Sequence, residues 1–321
     1  MSFLTISLFI IGFVFLIKGA DFLIDGASSL AKKCWISDLI IGLTIVAFWT
    51  SAPELVVNVH SSLQGSTGIT IGNILWSNIA NLLLILGLAA AITPVNIKEA
   101  FLKREVTISA MATLVFAIFI NDIRIDGTAT SFVSRSEGLI LIILLGFFLY
   151  YLFQSSKGQK KSDEKIQILP LWKSILRIGL GLGGLIVGGD WIVKWAVAIA
   201  THFWMSERII GLTIIAVWTS LPELATSAMA AYKKNSDIAI GNVIGSNIFN
   251  ILFILGTSSL ITPIPTMAGT NFDLVILIIA NLLIFLFYSR GNKKKTIERR
   301  EWIVMLLLYI VYVIYLIGGW C

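Results

Sequence analysis

Residues 35–54 read WISDLIIGLTIVAFWTSAPE, and residues 204–223 read WMSERIIGLTIIAVWTSLPE. The second stretch repeats the first at an offset of 169 residues. At the same offset, IGNILWSNIAN at residues 71–81 recurs as IGNVIGSNIFN at residues 240–250. Self-similarity at one fixed offset is the signature of an internal duplication. The chain therefore consists of two related halves.

Both halves have the composition of a membrane protein. Of the 321 residues, 57% are apolar and 13% are charged, and the mean hydropathy is +0.91. A soluble domain normally carries about 25% charged residues. One helical span needs about 20 apolar residues, so the chain has room for roughly ten spans and for no sizeable soluble domain. The apolar runs lie near residues 1–30, 38–63, 70–92, 105–121, 137–154, 173–200, 207–231, 238–261, 272–289 and 302–319.

These runs predict an all-α integral membrane protein with ten transmembrane helices. The most polar segment, 155–170, divides the chain into five-helix repeats at 1–154 and 171–321, whose motifs occupy 35–94 and 204–263. Because each repeat has an odd number of spans, the second enters the membrane from the opposite side. The two repeats are therefore inverted. Inverted repeats place substrate sites near the bilayer midplane, on interrupted helices.

The basic residues predict the orientation. If the N-terminus lies outside, 18 of the 24 lysines and arginines fall in inner loops, as the positive-inside rule requires. We therefore expect a multi-pass protein of the cell membrane with both termini outside and 155–170 as a cytoplasmic linker. Because these loops account for the net charge of +6, nucleic acid is not an expected partner, and no obligatory protein partner is predicted.

The repeated motif carries an acidic residue in the middle of a span. Pro53 lacks an N–H and disrupts the helix, which frees carbonyl oxygens next to Glu54. Thr50 lies four residues before Glu54 and therefore shares its helix face. The other polar residues of the two motifs are Ser51, Asn73, Ser77 and Asn81 in the first half, and Thr219, Ser220, Glu223, Asn242, Ser246 and Asn250 in the second.

Two buried carboxylates without a basic partner predict a cation site. A carboxylate at the bilayer centre costs about 2.5–3.5 kcal/mol, and no lysine or arginine lies at the depth of Glu54 or Glu223. Carboxylate, hydroxyl, amide and carbonyl oxygens form the kind of site that Ca²⁺ accepts. One Ca²⁺ or two Na⁺ would neutralise it. Two cysteines and two histidines cannot form a soft-metal cluster, no cofactor is expected, and no enzymatic motif is present.

The paired Thr-Ser-x-Pro-Glu and Gly-Asn-x-x-x-Ser-Asn-x-x-Asn motifs resemble the α-repeats of the sodium/calcium exchanger family. The resemblance covers almost the whole chain. It implies a core of spans 2, 3, 7 and 8, across which spans 1 and 6 slide, and it makes Glu54 and Glu223 the main Ca²⁺ ligands. The sodium ligands implied by the resemblance are Thr50, Ser51, Ser77, Thr219, Ser220, Ser246 and the carbonyls of Ala47 and Ala216, and Asn81 and Asn250 complete the ligand set.

Na⁺/Ca²⁺ antiport is therefore the expected function, with Ca²⁺ and Na⁺ as substrates. Some relatives carry aspartate where Asn250 stands, so stoichiometry and proton coupling stay open. Ca²⁺/H⁺ exchange is the alternative within the same class. A non-transporting membrane scaffold or ion sensor is the alternative from another class, and it depends on the tryptophans of the motifs.

Six tryptophans occupy positions where glycine is expected. Trp49 and Trp218 stand where the family motif carries glycine, at the predicted helix breaks. Within the chain itself, Trp76 corresponds to Gly245 and Trp195 to Gly26. The full set is Trp35, Trp49, Trp76, Trp195, Trp204 and Trp218. Since some bacteria read the UGA codon as glycine, we hypothesise that these six residues are glycines in the living protein. If they are genuine tryptophans, we expect a plugged site.

Overall fold

The computed structural model describes residues 3–33, 36–65, 68–96, 99–125, 130–156, 169–202, 216–267, 269–290, 296–297 and 300–318. Almost all of these residues are helical. The helices are α1 (Phe3–Lys33), α2 (Asp38–Thr50), α3 (Ala52–Leu63), α4 (68–92), α5 (99–119), α6 (Asp122–Ile125), α7 (Arg135–Ser156), α8 (Leu171–His202), α9 (Ala216–Thr219), α10 (Leu221–Tyr232), α11 (Ser236–Ile261), α12 (Thr270–Arg290) and α13 (Glu301–Gly318). Wider π-helical turns occur at Gly42–Val46, Ala80–Ile85, Leu102–Val106 and Asn250–Leu255.

Four two-residue strands join the helix ends in pairs. They are β1 (Val95–Asn96), β2 (Phe132–Val133), β3 (Ile264–Pro265) and β4 (Thr296–Ile297). β1 pairs antiparallel with β4, and β2 pairs antiparallel with β3. Each pair joins a segment of the first half to a segment of the second, so the two halves are linked at both of these ladders.

Seven described helices are long and apolar enough to cross a membrane, and there are eight if the bent pair α2–α3 is one span. The protein is thus a multi-pass helical membrane protein. Of the two other predicted spans, one falls on α5, whose first turns carry Lys103, Arg104 and Glu105. The other, 207–231, is described only from residue 216. The count of ten stays a prediction.

Helices α4 and α11 form the buried centre of the protein. Two pairs of asparagines join them: Asn81 Nδ2 donates to Asn247 Oδ1, and Asn250 Nδ2 donates to Asn78 Oδ1, both over 2.9 Å. The four side chains are at most 1% exposed. Asn78 and Asn81 correspond to Asn247 and Asn250 at the offset of 169 residues, so each bond is the repeat equivalent of the other. We call these four residues the asparagine quartet.

Helices α1 and α8 pack against each other through glycine. A Cβ atom added at Gly19 would lie 2.7 Å from the carbonyl oxygen of Gly181, and one at Gly188 would lie 2.6 Å from the backbone nitrogen of Leu16. Such distances mean that the two backbones are in direct contact. Small residues allow this close approach between membrane helices.

Ion pairs tie α1 and α8 to the end of α10. Lys233 Nζ lies 2.6 Å from Asp21 Oδ1 and 2.5 Å from Asp25 Oδ1, and Arg177 Nη1 lies 3.0 Å from Asp25 Oδ2. Asp21 thus has a basic partner in the structure. Its repeat equivalent, Asp190, is exposed. We call Asp21, Asp25, Arg177 and Lys233 the charged cluster.

Candidate cation-binding site

Each half contains a helix break next to its acidic residue. α2 ends at Thr50, α3 begins at Ala52, and the axis bends by 45° between them. Ser51, at the break, has φ −82° and ψ 7°, and Ser220 has nearly the same angles, −89° and 2°. Pro53 and Pro222 follow these serines and cannot donate to a carbonyl four residues earlier. The interrupted helices predicted from the sequence are therefore present in both halves.

The two acidic side chains are buried at these breaks. Glu54 is 1% exposed and Glu223 is 0% exposed. Ser77 Oγ donates to Glu54 Oε1 over 3.3 Å. Glu223 Oε1 accepts from Ser51 Oγ over 2.9 Å and from Ser246 Oγ over 3.4 Å. Because Ser51 belongs to the first half, the two halves build one common site.

The threonines of the motif also bond across the two halves. Thr50 Oγ1 donates to Asn242 Oδ1 over 3.0 Å, and its equivalent Thr219 Oγ1 donates to Asn73 Oδ1 over 3.2 Å. Thr219 Oγ1 also lies 3.4 Å from Ser77 Oγ. Thr50 Oγ1 lies 3.3 Å from the carbonyl oxygen of Ala47, which places that carbonyl beside the hydroxyl at the break. The polar stripes predicted on the separate helices therefore meet.

Several buried oxygens of the two motifs have no hydrogen-bond partner among the residues that the structure describes. They are Glu54 Oε2, Glu223 Oε2, Ser220 Oγ, Asn81 Oδ1 and Asn250 Oδ1. A buried polar atom without a hydrogen-bond partner costs free energy, so a group of such oxygens favours the binding of a ligand. Two carboxylates with neutral oxygens suit a hard cation such as Ca²⁺.

No basic side chain neutralises the carboxylates in the part of the chain that the structure describes. There, Lys103, Arg177 and Lys233 form ion pairs with other carboxylates and not with Glu54 or Glu223. Two negative charges buried without a partner are strongly unfavourable. A cation bound between the two carboxylates would neutralise them.

Hydrogen bonds place eight of the twelve predicted ligand residues in two groups: Glu54, Ser77 and Thr219 in one, and Glu223, Ser51, Ser246, Thr50 and Ala47 in the other. Ala216 lies at the start of α9, three residues before Thr219, and its side chain is outside the described set. Sequence analysis missed the bonds of Asn78 and Asn247, which fix the two central helices. The signal was present, because both residues follow a serine of the repeated Ser-Asn motif.

A family model matches most of the sequence in both halves. The family model described as "Sodium/calcium exchanger protein" matches residues 4–154 and 173–318. The chain belongs to the sodium/calcium exchanger family. This exchanger-family protein is 37% identical over 312 residues to the "Putative antiporter CaxA" of Alkalimonas amylolytica, covering 94% of this chain and 95% of that one. It is also 31% identical to the "Sodium/calcium exchanger MaX1" of Methanosarcina acetivorans, covering 96% and 97% of the two chains.

Its fold is also that of a solved exchanger. The sodium-calcium exchanger NCX_Mj, in a structure soaked with Na⁺ and Sr²⁺, superposes with a TM-score of 0.84 at 30% identity over 98% of both chains. The resemblance noted from the motifs is thereby confirmed. The exchanger-family protein is a multi-pass membrane transporter of the cation antiporter class, and none of these comparisons points to an enzyme.

Proposed function

We propose that this protein is a secondary active antiporter that exchanges Na⁺ for Ca²⁺ at a single site around Glu54 and Glu223. The observation that carries the proposal is the pair of buried carboxylates. Each has one oxygen bonded to hydroxyls and one oxygen without a partner. Membership of the sodium/calcium exchanger family supports the choice of ions.

The proposed architecture is ten transmembrane helices in two inverted five-helix repeats, 1–154 and 171–321. Its support is the exchange of equivalent bonds across the centre, as between Thr50–Asn242 and Thr219–Asn73. The family match is interrupted between residues 154 and 173, around the proposed cytoplasmic linker 155–170. In this topology both termini face the outside of the cell, and the site lies near the midplane of the membrane.

The proposed ligands divide by charge. Glu54 and Glu223 supply the negative charge that Ca²⁺ requires. Neutral oxygens complete the coordination and hold Na⁺ when Ca²⁺ is absent. They come from Thr50, Ser51, Ser77, Asn81, Thr219, Ser220, Ser246 and Asn250 and from the carbonyls of Ala47 and Ala216.

Exchange follows from the charge balance of this site. One Ca²⁺ or two Na⁺ would neutralise the two carboxylates, so either ion satisfies the same buried charge. The site without a cation carries two uncompensated charges, and their exposure to the low-dielectric bilayer is expensive. The protein therefore alternates access while it is loaded and stays on one side while it is empty. We propose that α1 and α8 provide the movement by sliding across α3, α4, α10 and α11, with no cofactor and no obligatory partner.

Ca²⁺ flux in proteoliposomes tests this function. Ca²⁺ uptake should depend on an opposing Na⁺ gradient and should be indifferent to a pH gradient. Glu54→Gln and Glu223→Gln should each weaken Ca²⁺ binding by at least about 100-fold, because removing one of two interacting buried charges typically costs about 3–5 kcal/mol. Glu99→Gln is the control, since this exposed carboxylate lies on α5 in an ion pair with Lys103 one turn away.

Two results would count against the proposal. Uptake driven by a pH gradient and indifferent to Na⁺ would indicate Ca²⁺/H⁺ exchange. Equal Ca²⁺ affinities of the unmodified protein, Glu54→Gln and Glu99→Gln would disprove the proposed site.

A further inference from the structure

A line of polar side chains runs from Glu54 along the interface between α3 and α4. Its members recur at intervals of three or four residues, so they share one face of each helix. They are Glu54, Asn58 and Ser62 on α3 and Thr70, Asn73 and Ser77 on α4. We call this line the α3–α4 seam.

The contact between Ser77 and Glu54 fixes which other residues of α3 and α4 lie opposite each other in the seam. Ser77 Oγ donates to Glu54 Oε1, and α3 and α4 follow each other through a short connection, so they run antiparallel. Four residues rise by about 6 Å along a helix. Asn58 therefore lies level with Asn73, and Ser62 lies level with Thr70, one and two turns away from Glu54.

The second half shows the same register directly. Asn58 corresponds to Ser227 and Asn73 to Asn242 at the offset of 169 residues. Asn242 Nδ2 donates to Ser227 Oγ over 3.0 Å and to the carbonyl oxygen of Glu223 over 3.4 Å. The amide of Asn242 is thus bonded, whereas the equivalent amide of Asn73 is not.

The seam of the first half is buried and unsatisfied. Asn58, Ser62 and Thr70 are at most 1% exposed. Among the described residues, no hydrogen-bond partner is present for five atoms: both polar atoms of the Asn58 side chain, Asn73 Nδ2, Ser62 Oγ and Thr70 Oγ1. In the second half, the positions of Ser62 and Thr70 are occupied by alanine, at Ala231 and Ala239. Only one of the two equivalent seams therefore offers a polar path.

We propose that the α3–α4 seam is a hydrated subsite through which Na⁺ reaches Glu54. Asn58 Oδ1, Ser62 Oγ and Thr70 Oγ1 are neutral oxygen ligands. The unbonded amide N–H groups of Asn58 and Asn73 donate to the water that the ion retains. Among the six seam residues, Glu54 is the one carboxylate. A cation at the two outer levels is therefore held weakly and can leave again, as conduction through successive sites requires. The subsite rests on the proposed exchange function.

Cysteine accessibility tests the subsite, with matched controls supplied by the repeat. In the full chain carrying Cys34→Ser and Cys321→Ser, the variants are Ser62→Cys and Thr70→Cys, with Ala231→Cys and Ala239→Cys as controls. A cationic thiol reagent is applied from both sides of proteoliposomes, in Na⁺ or in N-methylglucamine. We expect the seam cysteines to react about tenfold faster than their equivalents, since access limits the reaction of a thiolate. Na⁺ should slow them about threefold by occupying the subsite.

Equal labelling rates at equivalent positions would overturn the proposal. Faster labelling that Na⁺ leaves unchanged would also overturn it, because it would indicate a water-filled crevice without an ion subsite. If a cysteine variant does not fold, Ser62→Ala combined with Thr70→Val removes both hydroxyls while keeping the volume. It should raise the half-saturating Na⁺ concentration about threefold and leave Na⁺-free Ca²⁺ binding unchanged.

Ca²⁺ binding to the unmodified protein distinguishes failure of the exchange function from failure of the seam subsite. Binding that Glu54→Gln abolishes supports the exchange function, whatever the seam cysteines do. Absence of that binding would remove the exchange function itself, whereas intact binding with symmetrical labelling would remove only the seam subsite.

Discussion

Ser51 donates a hydrogen bond to Glu223 over 2.9 Å, but its repeat equivalent Ser220 makes no such bond to Glu54. Within the described residues, Glu223 accepts close hydrogen bonds from two serines, Ser51 and Ser246, and Glu54 accepts one from Ser77. The two carboxylates occupy equivalent positions of the repeat, but they differ in their hydrogen bonds. Glu54 is therefore the more available of the two for a cation in the state that the structure shows.

This asymmetry predicts different effects of two equivalent substitutions. In the absence of Ca²⁺ and Na⁺, Ser51→Ala should destabilise the protein by about 1–3 kcal/mol, since it removes a hydrogen bond to a buried charged group. Ser220→Ala removes a hydroxyl without a partner and should change stability little. Thermal unfolding in detergent without either cation measures both. Equal shifts of the melting temperature would show that the two halves are bonded alike.

The charged cluster predicts a difference between the two sides of the membrane. Lys233 at the end of α10 holds Asp21 and Asp25 of α1, and its repeat equivalent is the exposed Gln64, so this tie exists at one end only. Lys233→Gln should release α1 and α8 at that end. Because partly exposed pairs contribute up to about 1 kcal/mol each, we expect the half-saturating Ca²⁺ concentrations on the two sides to change by about threefold in opposite directions.

The neighbouring lysine is the control for the charged cluster. Lys234 is exposed and lies outside the described ion pairs, so Lys234→Gln should leave both half-saturating concentrations unchanged. Equal changes on both sides of the membrane for Lys233→Gln would indicate a general loss of stability and would argue against a one-sided tie.

The contact between α1 and α8 predicts which glycines tolerate a methyl group. Gly19→Ala places a Cβ 2.7 Å from the backbone of Gly181, so the helices must move apart, and we expect a loss of about 1–3 kcal/mol. A Cβ at Gly183 or Gly179 meets nothing within 4 Å. Gly183→Ala should therefore be neutral or stabilising, as alanine usually is in a helix. Thermal unfolding of the two variants decides it, and equal stability would contradict the close approach.

The tryptophan hypothesis predicts glycine at the six positions. Trp76 is 6% exposed, its indole Nε1 has no partner, and it packs on Tyr309 and Tyr312. At its equivalent Gly245, a Cβ alone would lie 2.7 Å from the carbonyl oxygen of Leu43. A buried tryptophan at position 76 and a glycine in backbone contact at position 245 therefore cannot have the same packing role in two equivalent halves.

Four further positions bear on the same hypothesis. A Cβ at Gly26, the equivalent of Trp195, would lie 2.8 Å from the carbonyl oxygen of Ser174, and Trp49 is 46% exposed at the helix break. Trp35 and Trp204 fall outside the described residues. The codons decide the matter, together with the intact mass of protein from the native cell. UGG at Trp49 and Trp218 would disprove the hypothesis, and UGA at all six would support it. Trp76→Gly should also raise the melting temperature if the hypothesis is right.

Much of the fold was predictable because its signals are local. Hydropathy predicted the class, and the constant offset predicted two equivalent halves. The positions of Pro53 and Pro222 predicted the breaks that the structure shows. The burial of Glu54 and Glu223 followed from their places within apolar runs.

The remaining features depend on contacts between distant segments. The bond between Ser51 and Glu223 and the ion pair between Lys233 and Asp25 each require the relative placement of separate helices, which periodicity does not specify. The α5 span was harder to assign for a different reason: its first turns combine charged residues with an apolar remainder.

The asparagine quartet has a consequence for how such a protein can move. Its two exchanged amide bonds, and the two longer contacts from Asn78 and Asn247 to the opposite backbones, all lie where water cannot replace them. A shift of α4 against α11 by a single residue would break all four at once. Helices α4 and α11 therefore stay fixed relative to each other while other helices move. The most rigid part of the protein lies next to the two carboxylates, Glu54 and Glu223.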